Sequence, residues 1–457
     1  MNRHWVAWVW MAAAGLLGIT ALALATGISA SASTAQDASL LGSKTLVAAV
    51  FPSSTPAFPG DAGDPDIVYS NGIYYAFTTG SVLGNHIQVL VNSTGNPLSG
   101  YESYTGTNYG STALANPPSW QQINTETSPG VFYWGGRWIM YYDAAQAGHA
   151  GDTGYNCLAM ATASTLSPTD PQFLDTSSTP FYCNQSLGGV IDPSPFIDPN
   201  TGKAYLVWKS NDGGSKLPAY LWSAQLNSAG TGFLTAPSEL LYNNTVSYPW
   251  ESTVEDPQMS YISGNYVLLF SGGIWDSNNY GEGYAICAGP TGPCSEPSST
   301  PFLSSYAGVS GPGGGSFFQA PNGLWYLGYA AWTTPAGCYN YTCGGERDLF
   351  VAPFSLGQVL NKPIVGMAAV PGGGGYWEVA SDGGIFSFGS AQFYGSTGGI
   401  NLAYPIVGVI SSMLPTGPNS SGPSGGEGSS TNPGYWEVAS DGGVFSYGTA
   451  SFFGSPA

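Results

Sequence analysis

The chain has 457 residues and a net charge of −19, and only eight of its residues are Lys or Arg. A chain so acidic is repelled by a polyanionic backbone, which excludes nucleic acid as a natural partner and favours a neutral ligand. Charged residues make up 8%, hydrophobic 43% and aromatic 14%, with 66 Gly and 34 Pro, which excludes a mainly helical or a disordered chain and fits an all-β protein rich in turns.

The first residues, MNRHWVAWVWMAAAGLLGITALALATGISASA, read as a secretory signal peptide over 1–32. Arg3 opens it, an apolar run extends from Trp5 to about Ala25, and Ala30-Ser31-Ala32 offers a small-residue cleavage site. An uncleaved anchor is the alternative, because the run is long. No later segment reaches the ~20 apolar residues that a spanning helix needs, so membrane contact is expected only through this signal. Residues 33–50 read as a linker or an N-terminal strand. All six cysteines, Cys157, Cys183, Cys287, Cys294, Cys338 and Cys343, lie in the exported part. Extracellular location predicts disulfides, and nearness in sequence favours 157–183, 287–294 and 338–343. A metal site is disfavoured, since no C-x-x-C occurs.

Five hairpins follow over residues 51–357. They are DIVYSNGIYYAFTT, GVFYWGGRWIMYYDA, SPFIDPNTGKAYLVWKS, QMSYISGNYVLLFSG and SFFQAPNGLWYLGYAA. Their turn glycines, Gly72, Gly136, Gly202, Gly264 and Gly323, are 64, 66, 62 and 59 residues apart. A period near sixty suffices for four short strands, and five such units predict a five-bladed β-propeller. A long β-sandwich is the alternative. Eight to ten residues before each turn glycine stand Asp64, Ser128, Asp192, Glu255 and Gly315. The repeat makes these positions equivalent, so three acids are expected to face one another around the central axis. A single Asp-Pro is ordinary turn chemistry; three acids at one repeat position are not required by turns.

The remaining inventory narrows the chemistry. Beyond the signal only His86 and His149 remain, and neither is accompanied by a nucleophile motif such as G-x-S-x-G. No zinc spacing and no phosphate-binding loop is present. Carboxylates alone can hydrolyse a glycosidic bond: one donates a proton to the leaving oxygen, and one activates water. A third carboxylate nearby disfavours ionisation of the acid. Aromatic faces pack on sugar rings, and Trp250, Trp275 and Trp332 lie near the candidate motifs, although most Trp here should pack blades.

At these residues the sequence resembles glycoside hydrolase family 43, over about residues 55 to 355. The resemblance implies a five-bladed propeller and an inverting mechanism with an Asp base, a Glu acid and an Asp that tunes the acid. DPDIVYSNGIYYAF resembles the base segment and implies Asp64. VIDPSPFIDPNTGKAYLVWKS resembles the tuning segment and implies Asp192. STVEDPQMSYISGNYVLLFSG resembles the acid segment and implies Glu255, with Glu251 and Asp256 as rival acids. ERDLFVAP resembles the segment whose Arg contacts the sugar, and implies Arg347. Family members often carry a His in the fifth blade, sometimes beside a central metal ion. Here the matching stretches are GPGG and YAAW, with Gly314 and Ala330. No cofactor is therefore expected, and a central calcium ion would lack that His.

From about Pro363 a second repeat begins. PIVGMAAVPGGGGYWEVASDGGIFSFGSAQFYGS recurs as PIVGVISS and GYWEVASDGGVFSYGTASFFGS, predicting a β-rich module over 363–457. A Gly/Ser/Pro-rich insertion at about 411–433 reads as a flexible loop. The repeat resembles those of secreted bacterial envelope proteins, which implies contact with the cell envelope or with polysaccharide. The expectation is a secreted inverting glycoside hydrolase acting on arabinose- or xylose-containing plant polysaccharide or oligosaccharide. The rivals are a non-catalytic sugar-binding propeller and a structural envelope protein.

Overall fold

The computed structural model describes residues 46–456, apart from 80–85, 105–111, 115, 150, 212–216, 334–337, 359, 361, 371–373 and 413–433. The expected signal peptide, most of the 33–50 segment and nearly all of the 411–433 insertion lie outside the described residues. The chain divides into two compact units, the first spanning residues 46–357 and the second following it. No helix among the described residues is long and apolar enough to cross a membrane.

The first unit is a five-bladed β-propeller, as the sixty-residue period predicts. Blade one has strands Asp66–Ser70, Ile73–Thr79, Ile87–Asn92 and Glu102–Ser103. Blade two has Thr127–Trp134, Arg137–Ala145, Asn156–Ala163 and Tyr182–Cys183. Blade three has Val190–Ile197, Ala204–Ser210, Tyr220–Gln225 and Ser238–Tyr242. Blade four has Val254–Ile262, Asn265–Gly272, Gly281–Cys287 and Cys294–Ser295. Blade five has Ser310–Gln319, Trp325–Trp332 and Arg347–Gln358, and the N-terminal strand Leu46–Val50 completes it. Residues from the start of the unit thus close the ring on its last blade.

The inner hairpins form where the sequence places them because their turns accept positive φ. Asn71 and Gly72 have φ 51° and 90°, Gly135 and Gly136 60° and 82°, and Ser263 and Gly264 51° and 81°. That pattern is the two-residue turn whose twist matches paired strands. The second strands are buried on both faces, which explains why IYYAF does not alternate apolar with polar. Successive residues point to opposite faces. Tyr74 packs with Phe318 and Tyr326 of blade five, while Tyr75 packs with Val131 and Met140 of blade two. Three further clusters lie between blades two and three, three and four, and four and five. The core is therefore a ring of five interfaces rather than one centre.

Side chains near the axis lock neighbouring blades. Asp66 Oδ2 accepts from the Val131 N–H at 2.6 Å. Gln258 accepts from the Phe317 N–H at 2.5 Å and donates to its carbonyl at 3.1 Å. Ser316 Oγ donates to the Pro65 carbonyl at 2.7 Å. Disulfides Cys157–Cys183 and Cys287–Cys294 tie the two-residue outermost strands of blades two and four, short edges with few ladder bonds of their own. Cys338–Cys343 closes a loop in blade five.

Candidate active site

Each inner strand begins with a residue held at positive φ beside the axis. These residues are Asp64, Ser128, Asp192, Asp256 and Gly314, with φ from 48° to 65°. The first four immediately precede Pro65, Pro129, Pro193 and Pro257. In blades two to five the strand register slips across this position, as at a β-bulge, and such a bulge re-aims side chains. Asp tolerates positive φ because its short polar chain makes local hydrogen bonds. The equivalence expected from turn spacing is therefore corrected in two blades. Asp256, not Glu255, occupies the axial place in blade four, and Gly314, not Gly315, occupies it in blade five. Glu255 stands one residue earlier.

Asp64 is gripped from two sides. Arg347 Nη1 lies 3.0 Å from its Oδ1, and the Thr79 hydroxyl donates to its Oδ2. Gly63 makes room for this pair, since a Cβ there would fall 1.8 Å from the guanidinium. Thr79 in turn accepts from the Ser128 N–H at 3.1 Å. Asp192 is buried between blades. Its N–H donates to Asp143 Oδ1 at 3.1 Å, and its Oδ2 accepts from the Asp256 N–H at 3.2 Å. Burial, with Glu255 and Asp64 nearby and Lys209 opposing, pushes the Asp192 carboxyl up to about 7.

Glu255 is held by residues that sequence reasoning did not single out. Lys209 Nζ lies 2.9 Å from its Oε2, and the Tyr280 hydroxyl lies 2.7 Å from its Oε1. The same hydroxyl lies 2.9 Å from Asp256 Oδ2. A phenol has one proton to donate, so it satisfies both carboxyls only if one of them carries a proton. Burial, then the neighbouring Asp192, Asp64 and Glu255 charges, pushes the Asp256 carboxyl well above its usual range. Burial does the same to the Tyr280 phenol. Asp256–H donating to Tyr280, and Tyr280 donating to Glu255, satisfies all three groups. Lys209 had a sequence signal: it is a cation, 3% exposed, inside the apolar strand AYLVWKS.

The remaining predicted residues divide. Trp275 is 41% exposed and borders an open cleft with Glu255, Ser252 and Thr253, and the Arg347 guanidinium sits 4.9 Å from its ring centre. Trp332 is 1% exposed, stacks on Trp275 at 6.1 Å and donates its indole N–H to the Trp275 carbonyl. Trp250 stacks on Phe270, and a Cβ at Gly272 or Gly283 would strike its indole. Trp250 and Trp332 are thus packing residues, contrary to expectation, and Trp275 alone of the three presents its ring to the cleft. Glu251 is fully buried beside Glu296, away from the axis. Among the described residues, no group of three or more His, Cys, Asp or Glu side chains is arranged to hold a metal ion. Gly314, at the fifth axial position, has no side chain to ligate one. The residues present do not fit a central metal ion.

Buried carboxyls also make a prediction about stability. Burial pushes Asp66 and Asp192 up to about 7 and Glu282 up to about 8. The folded chain keeps protons that the unfolded chain releases above about pH 4, so this stabilisation is complete below that pH and is lost as pH rises toward about 8. The melting temperature is expected to fall across that window, and Glu282→Gln to flatten the upper part of the fall. A melting temperature that rises with pH over the same range would show these groups ionised in the fold.

Comparison with known proteins agrees with this architecture. Residues 53–356 match the sequence profile of Glycosyl hydrolases family 43. No curated protein matches the chain. An α-L-arabinofuranosidase from Lactobacillus brevis superposes with a TM-score of 0.53 at 21% identity, covering 66% of this chain and 94% of that one. An endo-1,4-β-xylanase from Bacteroides thetaiotaomicron gives 0.51 at 21%, covering 68% and 100%. A thermostable family-43 glycoside hydrolase gives 0.51 at 20%, covering 66% and 90%. The profile spans most of the propeller and well over half of the chain, and on that ground the chain belongs to glycoside hydrolase family 43 and is a glycoside hydrolase.

Proposed function

We propose that this hydrolase is exported and cleaves arabinose- or xylose-containing polysaccharide or oligosaccharide with inversion. Asp64 is the base that activates water, Glu255 the acid that protonates the leaving oxygen, and Asp192 the group that holds and tunes the acid. One observation carries the reading. Asp64 and Glu255 sit in different blades, each paired with its own cation, with Asp192 close enough to feel both. Inversion needs two carboxyls about 6.5–9.5 Å apart, so that a water fits between the base and the anomeric carbon, and side chains held in different blades by separate cations can meet that need.

Lys209 and Arg347 keep four neighbouring acids from repelling one another apart. Arg347 also presents N–H donors beside Asp64, suited to a sugar hydroxyl. The exposed Trp275 ring offers an apolar face next to Glu255. After each turnover Glu255 regains a proton from solvent through the open cleft and Asp64 releases one to solvent, so Asp256 and Tyr280 end the cycle as they began it. The profile match and the arabinofuranosidase and xylanase likenesses support the sugar class, and three disulfides suit export.

The test is hydrolysis of arabinan, arabinoxylan, xylan and galactan, with proton NMR of the first product. Release of arabinose or xylose units with inverted anomeric configuration is expected. Retained configuration would remove Asp64 from its role, and release from galactan alone would remove the sugar class.

A further inference from the structure

The C-terminal unit contains two three-stranded sheets. The first has strands Ile364–Ala369, Gly375–Ala380 and Ile385–Gly389; the second has Ile406–Ser411, Tyr435–Ala439 and Val444–Tyr447. Both middle strands read YWEVA, so Tyr and Glu share one face and Trp and Val the other. In the first sheet the Trp face is buried, through Trp377 and Val379. In the second the Tyr face is buried, through Tyr435 and Glu437. The sheets therefore stack, Trp face of the first against Tyr face of the second, with Trp377 and Tyr435 5.2 Å apart. Gly366 and Gly408 permit the approach, because a Cβ on Gly366 would lie 2.9 Å from the Gly408 backbone.

A segment after the first sheet, AQFYGS at 391–396, completes the contact. The Tyr394 ring lies 5.9 Å from Tyr435, the Tyr394 N–H donates to the Tyr435 hydroxyl, and that hydroxyl donates to the Gly395 carbonyl at 2.6 Å. Thr397 donates its hydroxyl and its N–H to Glu437.

The same two surfaces recur uncovered. Tyr376 and Phe388 are the repeat equivalents of Tyr435 and Tyr447; they stack at 4.8 Å and are 38% and 41% exposed. ASFFGS at 450–455 is the equivalent of AQFYGS, and Phe453, in the place of Tyr394, is 88% exposed. Trp436 is held as Trp377 is: each donates its indole N–H to the carbonyl of the equivalent residue, Ser451 or Gln392. One face of the unit is thus a socket and another a plug, and the contact inside the unit shows that surfaces of this design fit.

We propose that this unit binds a second copy of the chain head to tail. Phe453 and the Trp436 face of one copy cover the Tyr376–Phe388 face of the other. The two surfaces differ, so the contact is heterologous and each added copy leaves one plug and one socket open, giving chains unless the rotation closes a ring. Pro456 stands in the place of Thr397 and has neither a hydroxyl nor an N–H to donate, so Glu378 gains no equivalent of the Glu437 bonds. The association is therefore weaker than the internal contact and reversible with concentration.

Sedimentation of the full chain over a wide concentration range tests this. The weight-average mass is expected to rise past that of a dimer. Tyr376→Ser and Phe453→Ser should each abolish the rise, with the melting curve retained because both side chains are exposed. Mixing the two variants is the decisive arm: Tyr376→Ser keeps a plug and Phe453→Ser keeps a socket, so together they should form a dimer and stop there. A wild-type chain that stays monomeric overturns the proposal, as does association that survives Phe453→Ser, or two variants that do not dimerise when mixed.

Discussion

Asp64→Asn is expected to lower kcat by about 10²–10⁴-fold, the range that a positioned general base contributes. The loss should be similar for aryl glycosides and for natural linkages, because water must be activated whatever the leaving group. KM should change less, since Arg347 remains to contact substrate. The fold should survive. Asn can turn its amide oxygen to Arg347 and donate its NH2 to the Thr79 hydroxyl oxygen, and removing one negative charge relieves Asp192 and Asp256, whose carboxyls Asp64 pushes upward. Steady-state kinetics on both substrate types, with a melting curve, checks all of this. Turnover within a few fold of wild type would take the base role from Asp64.

The frame of the fold was legible because hairpin turns carry a local signal. Asn71-Gly72 and Gly135-Gly136 need positive φ, and only a few residue types supply it cheaply. Five such turns at even intervals mark five blades whatever packs between them. The axial frame was legible only to within one residue. Counting back eight to ten residues from a turn glycine admits neighbours: Asp256 stands eight before Gly264 and Glu255 nine, while Gly315 stands eight before Gly323 and Gly314 nine. Counting from the prolines would have aligned Asp64, Ser128, Asp192 and Asp256 at once. Tyr280 was not legible at all. It lies in a loop with no motif, and its meaning comes from the blade contact that sets its hydroxyl between Glu255 and Asp256. Trp250 and Trp332 failed for the opposite reason: nearness to a motif in sequence says nothing about which way an indole faces.

The off-by-one frame has a chemical meaning. Glu255 and Asp256 are adjacent, so along a strand they diverge, yet Tyr280 spans both. Burial of the axial carboxyl favours its neutral form, and its neighbour borders the open cleft beside Trp275. One strand position thus separates a carboxyl that burial keeps neutral from one beside the open cleft.

Glu255→Gln tests the donor and should depend on the leaving group. Natural linkages release a poor leaving group that needs protonation, and the loss there is expected to be about 10²–10⁴-fold. A nitrophenyl glycoside leaves without help, so its loss should be far smaller. Gln keeps the size of the side chain; its amide oxygen can face Lys209 while its NH2 donates to the Tyr280 hydroxyl, which then donates to Asp256, so the geometry should hold. Equal losses on both substrates would mean that Glu255 positions rather than donates. A small loss on both, with a large leaving-group-dependent loss in Asp256→Asn, would move the acid role one residue along, onto the axial carboxyl itself.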